Sequence, residues 1–329
     1  MIKAIIGVVG TGGTIASRYD ATIGGHVSAA TAEDLVAAAP EIAEMADIRV
    51  IEHSNINSAL MDTHTAFGLR DTLRRLLSDE RVAGAVVTHG TATLEETAYL
   101  MDLTLGSEKP VVFTGAQRNA DEPDPDGPRN LLYAVKVAAD PAARGRGVMV
   151  ALGSEIHAAR DVVKVNPEQL TCFGARDGGP IGSVTKHGVA FFAMPERRVF
   201  IDVERLGSEV HIIKMAQGAS DLFFRACIDA RVDGIVVEAT GGGNVNQSFF
   251  DGVCKALAAG ITVVVGLRLS TGAPHPGKGY PGSFQSMMRQ GAISAGYLSG
   301  VKARILLMVA LGETRNPARL RDIFRQAGG

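Results

Sequence analysis

The chain has 329 residues, 46% hydrophobic and 21% charged, which excludes a disordered protein and suits about two domains of ~100–200 residues each. Thirty-three Lys and Arg stand against 35 Asp and Glu, a formal net charge of −2 with no long basic run. Nucleic acid is therefore not an expected partner, because counterion release needs a concentrated positive face. The longest apolar stretches, 261–267 and 305–311, fall far short of the roughly 18–20 residues that cross a bilayer, so no membrane partner is expected either.

Residues 4–9, apolar and β-branched, predict a first strand. The run is too short for the core of a signal peptide and is broken by the glycines of 10–13, so a cytoplasmic protein is expected. A strand follows at 47–51, then a helix at 65–77, where Leu69, Leu73, Leu76 and Leu77 share one face. Strands at 84–88 and 110–114, a helix at 128–139 opened by the turn-forming Asp126-Gly127, and a strand at 148–152 continue the alternation. The polar stretch around Pro195-Glu196-Arg197-Arg198 carries no helix signature and reads as a linker, placed at 192–209. Beyond it come strands at 210–215, 234–237 and 261–267 and a helix at 247–259. A final helix is capped by Asn316, with Pro317 in its first position and Leu320, Ile323, Phe324 and Ala327 facing inward. Strands alternating with helices predict an α/β protein with largely parallel sheets. The larger domain is expected at 1–191 and a smaller α/β domain at 210–329. Cys172, Cys227 and Cys254 are odd in number and widely spaced; they give no disulfide framework or zinc knuckle and read as thiols of a reducing compartment.

Three segments carry candidate chemistry. The first strand runs into Gly10-Thr11-Gly12-Gly13-Thr14-Ile15-Ala16-Ser17, at the carboxyl end of a strand, where open α/β sheets bind ligands. A dinucleotide fingerprint fails there, since Ile15 holds the third glycine position, and no Lys follows for a P-loop. A plain glycine turn would read the same. The second segment, Thr88-His89-Gly90-Thr91-Ala92-Thr93-Leu94-Glu95-Glu96, also leaves a strand and opens a helix, so its backbone N–H groups can meet an anion or oxyanion. On its own, Thr93 with Glu96 fits a capping box. The third is Arg160-Asp161-Val162-Val163-Lys164. A lysine so placed is ordinarily solvated; desolvated beside a threonine, its neutral amine can take a hydroxyl proton.

Together these segments resemble the bacterial-type L-asparaginase family, threonine amidohydrolases that cleave asparagine or glutamine. Thr114-Gly115-Ala116-Gln117-Arg118, Asp126-Gly127-Pro128-Arg129-Asn130-Leu131, Asn244 in its glycine-rich turn and Lys302-Ala303-Arg304 extend the likeness, collinearly, over nearly the whole chain. The resemblance implies a two-domain α/β fold, no cofactor or metal, and a homotetramer in which intimate dimers build the sites. It makes Thr14 the nucleophile, on a mobile loop at 15–27, with Thr91 and Lys164 as a second pair that polarises the amide or activates water. Ser58 would bind the substrate carboxylate, with backbone groups at Gly90 and Ala92, and Ala116 and Asn244 would complete the pocket.

Three positions depart from the family pattern. Ala92 stands where the family carries Asp to grip the substrate's α-ammonium. Phe284 or Gln285, in a stretch 283–290 that lacks Asp and Glu, replaces a second acid from a neighbouring subunit. His26, or else Tyr19, takes the place of the loop tyrosine that partners the nucleophile; His26 is a candidate general base, or a solvated loop histidine. A site without both counter-charges points to a small-molecule amide with no free α-amino group, or a substituted one. Succinamate-like acid amides, N-substituted amino-acid amides and cyclic imides or lactams fit, with Phe284 and Ala92 lining a roomier pocket. An ordinary L-asparaginase or glutaminase with a compensated ammonium site and a non-catalytic small-acid-binding protein are the alternatives. Asp121, Glu122, Asp124 and Asp126, interleaved with Pro123, Pro125 and Pro128, read as a solvated turn rather than a cation site, and His275 lies in a loop that borders the site from the C-terminal half.

Overall fold

A computed structural model describes every residue except Met1, Ile2, Arg197 and Ser208, the last two within the stretch expected to be a linker. The chain forms two compact units, Met1–Glu196 and Arg197–Gly329.

The first unit contains strands β1 (Ala4–Gly10), β2 (Ser17–Asp20), β3 (Gly25–Ser28), β4 (Ala46–Glu52), β5 (Val82–Thr88) and β6 (Val111–Thr114). Strands β7 (Val148–Leu152), β8 (Glu155–Ala158), β9 (Val162–Lys164), β10 (Phe173–Ala175), β11 (Gly182–Thr185) and β12 (Gly188–Phe191) follow. Its helices are α1 (Ala32–Ala37), α2 (Ile42–Met45), α3 (Thr63–Leu77), α4 (Leu94–Thr104) and α5 (Gly127–Ala139). Eight strands make one sheet in the order β12-β11-β8-β7-β6-β5-β1-β4. From β7 to β4 the neighbours are parallel, and the β8, β11 and β12 edge is antiparallel. Continuous apolar runs in β5, β6 and β7 follow from burial of both faces, which is what parallel strands require. One face packs Ile6, Val8, Val86 and Val112 against Leu131, Ala134 and Val135 of α5.

The second unit contains β13 (Val210–Lys214), β14 (Gly234–Ala239), β15 (Thr262–Leu267) and β16 (Ile293–Ser294), paired in that order and all parallel. Its helices are α6 (Leu222–Ala230), α7 (Gln247–Ala258), α8 (Phe284–Gln290), α9 (Gly300–Glu313) and α10 (Pro317–Gly328). Asn316 caps α10 as expected, its Oδ1 accepting the N–H groups of Ala318 and Arg319 at 2.9 and 3.2 Å. Helix α9 is the element the sequence hid. It is apolar and buried on almost every side, so no 3.6-residue alternation marks it.

Two local expectations are corrected. Thr93 stands at the N-cap of α4 without capping it; its hydroxyl instead donates to the Ser58 carbonyl at 2.8 Å. The hairpin of β2 and β3 replaces what the sequence offered only as a loop at 15–27.

Candidate active site

The site is assembled at the carboxyl ends of neighbouring parallel strands, where such sheets leave a crevice. Gly10 of β1 lies beside Thr88 of β5, and Thr88 beside Thr114 of β6, so the three segments that follow these strands leave the sheet side by side. Thr11 staples the first to the second: its N–H and its hydroxyl both donate to the Thr88 carbonyl, at 3.1 and 2.8 Å. His89 N–H donates to the Thr114 carbonyl at 2.8 Å and joins the second to the third.

Glycine is required where these segments touch. Gly13 has φ of +87°, and a Cβ there would lie 2.3 Å from the Gly90 Cα. A Cβ on Gly90 would lie 2.5 Å from the Ser58 Oγ. The closeness of these backbones brings the Thr14 segment, the Thr91 segment and Ser58 to one place. Ser58 is 3% exposed and opens a single helical turn after Asn57. Among the described residues, neither the Ser58 nor the Thr14 hydroxyl has a hydrogen-bond partner.

Thr91 is 4% exposed and fully engaged. Lys164, the last residue of β9, donates from Nζ to Thr91 Oγ1 at 2.7 Å and to Gln117 Oε1 at 3.2 Å. The Thr91 hydroxyl in turn donates to Gln117 Oε1 at 2.9 Å. Gln117 is held by its own Nε2, which donates to the Pro167 carbonyl at 2.8 Å, and by its backbone N–H, which donates to Asp126. Lys164 is anchored through its backbone N–H to Glu95 Oε2 at 3.0 Å. Such a triangle fixes a lysine nitrogen on a hydroxyl oxygen, an arrangement that can move a proton to or from that oxygen.

The sequence reading missed Gln117. The signal available was a glutamine just past the end of a third parallel strand, in a segment already noted for its family likeness. Asp126 was also placed differently. It does not cap α5 with its side chain but accepts from the Gln117 and Arg118 N–H groups and from Asn130 Nδ2, which sets the turn that aims Gln117. The neighbouring acids are similarly occupied. Asp121 accepts the Tyr19 N–H, Glu122 accepts the Asn119 N–H, and Asp124 pairs with Arg118.

His26 is not brought to Thr14. It sits across from Tyr19 in the β2–β3 pair, the two rings edge to face at 5.5 Å, with its Nε2 3.4 Å from Asp121 Oδ1. The general-base expectation for His26 therefore lacks its contact. Tyr19, its alternative, is 57% exposed. Ala116 is 1% exposed with its methyl in the core, so only its backbone is available to a ligand. Ala92 is exposed beside Thr91 and offers a methyl group where a carboxylate was missed.

His89 supports the Thr91 segment from below. It is fully buried, with Nδ1 2.8 Å from the Gly90 carbonyl oxygen, and burial pushes its imidazole down to about 4, so it is neutral at pH 7.

Asn244 and Phe284 belong to the second unit. Asn244 closes a turn with Thr240, and its Oδ1 accepts the Phe284 N–H at 3.4 Å. Phe284 is 8% exposed and packs in that unit's own core, whereas its neighbour Gln285 is exposed. His275 is exposed, next to Gly242.

A lysine-held threonine beside a glycine-lined crevice defines a class, the hydrolases of amides, once known proteins are set beside it. Residues 5–197 match the model of the asparaginase N-terminal domain, and residues 209–324 that of the glutaminase/asparaginase C-terminal domain. L-asparaginase 2 of Escherichia coli is 34% identical over 98% of this chain and 92% of its own length. A probable periplasmic L-asparaginase of Haemophilus influenzae is 35% identical over 97% and 92%. The crystal structure of a probable cytoplasmic L-asparaginase from Campylobacter jejuni superposes with a TM-score of 0.87 at 32% identity, covering 98% of this chain and 99% of that one. The chain belongs to the asparaginase family and is an amidohydrolase.

Proposed function

We propose that this amidohydrolase cleaves small acid amides that lack a free α-amino group, or carry a substituted one. Thr14 Oγ adds to the amide carbon, the C–N bond breaks and ammonia leaves with a proton. Water then hydrolyses the threonine ester and releases the acid. Lys164 and Thr91 act as the proton-moving pair, Gln117 holds them in register, and the Ser58 hydroxyl with the N–H groups near Gly90 receives the substrate carboxylate. Asn244 as a further substrate-binding residue, a homotetramer of intimate dimers and a cytoplasmic setting complete the proposal. The Campylobacter relative is called cytoplasmic, which supports that setting, whereas the Haemophilus relative is called periplasmic.

The observation that carries this reading is the exposed methyl of Ala92 next to a Thr91 hydroxyl held 2.7 Å from Lys164: the chemistry is retained and the acid that would grip an ammonium is not. A second reading, an ordinary L-asparaginase, is favoured by the names of the relatives. Ammonia release from asparagine, glutamine, succinamate and N-substituted asparagines separates the two, with ring opening of cyclic imides and lactams followed by NMR. The first reading expects turnover confined to substrates without a free α-amino group; efficient asparagine turnover would overturn it. Ala92→Asp is expected to raise kcat/KM for asparagine roughly 10–100-fold, the worth of one charge-assisted hydrogen bond of ~1.5–3 kcal/mol.

A further inference from the structure

Beside the catalytic segments, within the first unit, lies a cavity of about 170 Å³. Ile15, Leu35 and Leu131 give it an apolar wall, and Arg18, Arg118 and Asp34 stand around it. A cavity of roughly 150 Å³ holds a benzene molecule, so this one takes a ligand of about six to eight non-hydrogen atoms.

The polar groups are unequally occupied. Arg118 is committed to Asp124, donating to its carboxylate and, at 3.1 Å, to its carbonyl. Asp34 accepts the Thr31 N–H at 2.9 Å in the capping box of α1. Arg18 makes no hydrogen bond or ion pair among the described residues; its charge attracts the Asp34 carboxylate across the cavity, the smallest of the influences that hold that carboxyl below its usual range, and its fork of N–H donors stays open. An open guanidinium over an apolar wall selects a carboxylate with a short hydrocarbon tail, because the fork matches two carboxylate oxygens and the tail leaves water.

We propose that this cavity is a binding site for small aliphatic carboxylates, separate from the crevice that holds Thr14 and Thr91. Its walls belong to both halves of the catalytic apparatus. Ile15 follows Thr14 directly, and Arg118 follows Gln117. The two segments are already tied, Ala120 N–H to the Ser17 carbonyl at 3.1 Å and Tyr19 N–H to Asp121 at 2.7 Å. A ligand seated between Ile15 and Leu131 bears on the placement of Thr14 and of Gln117 together, so a carboxylate here is an effector of the enzyme.

Isovalerate, with seven non-hydrogen atoms, is the probe, and 4-methyl-2-pentanone is its uncharged counterpart of the same size. Titration of the full chain carrying labelled Ile and Leu methyl groups reads the site without turnover, so the test stands apart from the substrate reading above. Isovalerate is expected to shift the Ile15, Leu35 and Leu131 methyl signals, and Arg18→Gln to weaken its binding roughly tenfold or more, with Arg18→Lys between. The ketone is expected to bind the Arg18→Gln variant as it binds the wild type. No methyl shift at millimolar isovalerate would overturn the proposal. So would shifts that Arg18→Gln leaves unchanged, or binding removed by Ser58→Ala, which would place the acid in the catalytic crevice.

Discussion

Thr91 and Thr14 follow neighbouring parallel strands in similar glycine-bearing segments, yet their surroundings are opposite. Thr91 is buried, and its oxygen both accepts from Lys164 and donates to Gln117. The Thr14 hydroxyl, only half-buried, has no partner among the described residues, and the hairpin after it is fastened at its far end, through Asp121. The contrast shows where preorganisation resides. One threonine is set before substrate arrives, by Lys164 and Gln117 from two other segments, while the other is left open to whatever enters.

The comparison is broken most completely by removing the lysine. Lys164→Met is expected to lower kcat roughly 10³-fold or more with the fold retained, since positioned proton transfer is worth about 10²–10⁴. Thr14→Ala should match it, and circular dichroism with steady-state kinetics checks both. A fall of less than tenfold in Lys164→Met would remove the Thr91 side from the mechanism.

Acid strikes the held side through His89. Its imidazole is lowered from 6.5 to about 4 by burial, so the unfolded chain binds a proton in that window and the native chain does not. His89 therefore contributes nothing to the pH dependence above about 6.5 and an increasing loss of stability as pH falls toward 4, roughly 3 kcal/mol in all at 1.36 per pH unit. His157, also lowered by burial, acts in the same direction. Urea unfolding at pH 7 and pH 5 in wild type and His89→Gln measures it, with a smaller pH difference expected in the variant.

Gln117→Ala sharpens the comparison by loosening Thr91 while leaving Lys164 in place. A loss of roughly two- to tenfold in kcat with little change in KM is expected, the scale of one hydrogen bond of ~0.5–1.5 kcal/mol. The smallest effect belongs to the open side. The Tyr19 N–H holds the Asp121 carboxyl below its usual range, so the tie is present above that range and is lost as acid protonates Asp121. Asp121→Asn should speed amide exchange at Tyr19 at neutral pH and leave the rest of the sheet unchanged.

Much of this was legible in the sequence because it is local. Apolar runs place β1, β5 and β7 within a residue or two of their ends, and Asn316-Pro317 marks the start of α10. The glycines of 10–13 and the threonines around Gly90 announce where backbones approach, since side-chain size and backbone freedom are properties of a residue itself. Partners are not. Thr93 with Glu96 reads as a capping box, but the Thr93 hydroxyl found the Ser58 carbonyl, 35 residues away. His26 occupies the position of a family tyrosine, but the hairpin turns it toward Asp121. Phe284, aligned with a lost acid, turned into the core of its own unit.

The sequence by itself determined the α/β alternation, the glycine-bearing ends of the strands and the presence of Thr14, Thr91 and Lys164. Each follows from residue type and from periodicities of two or about four residues. Only the tertiary structure decided that Lys164 meets Thr91 across 73 residues of chain and that Gln117 completes their triangle. It alone left Arg18 open over a cavity. Those contacts depend on strand order and on how loops leave the sheet, and a hydrogen bond shorter than about 3 Å is satisfied by position in space, whatever the separation along the chain.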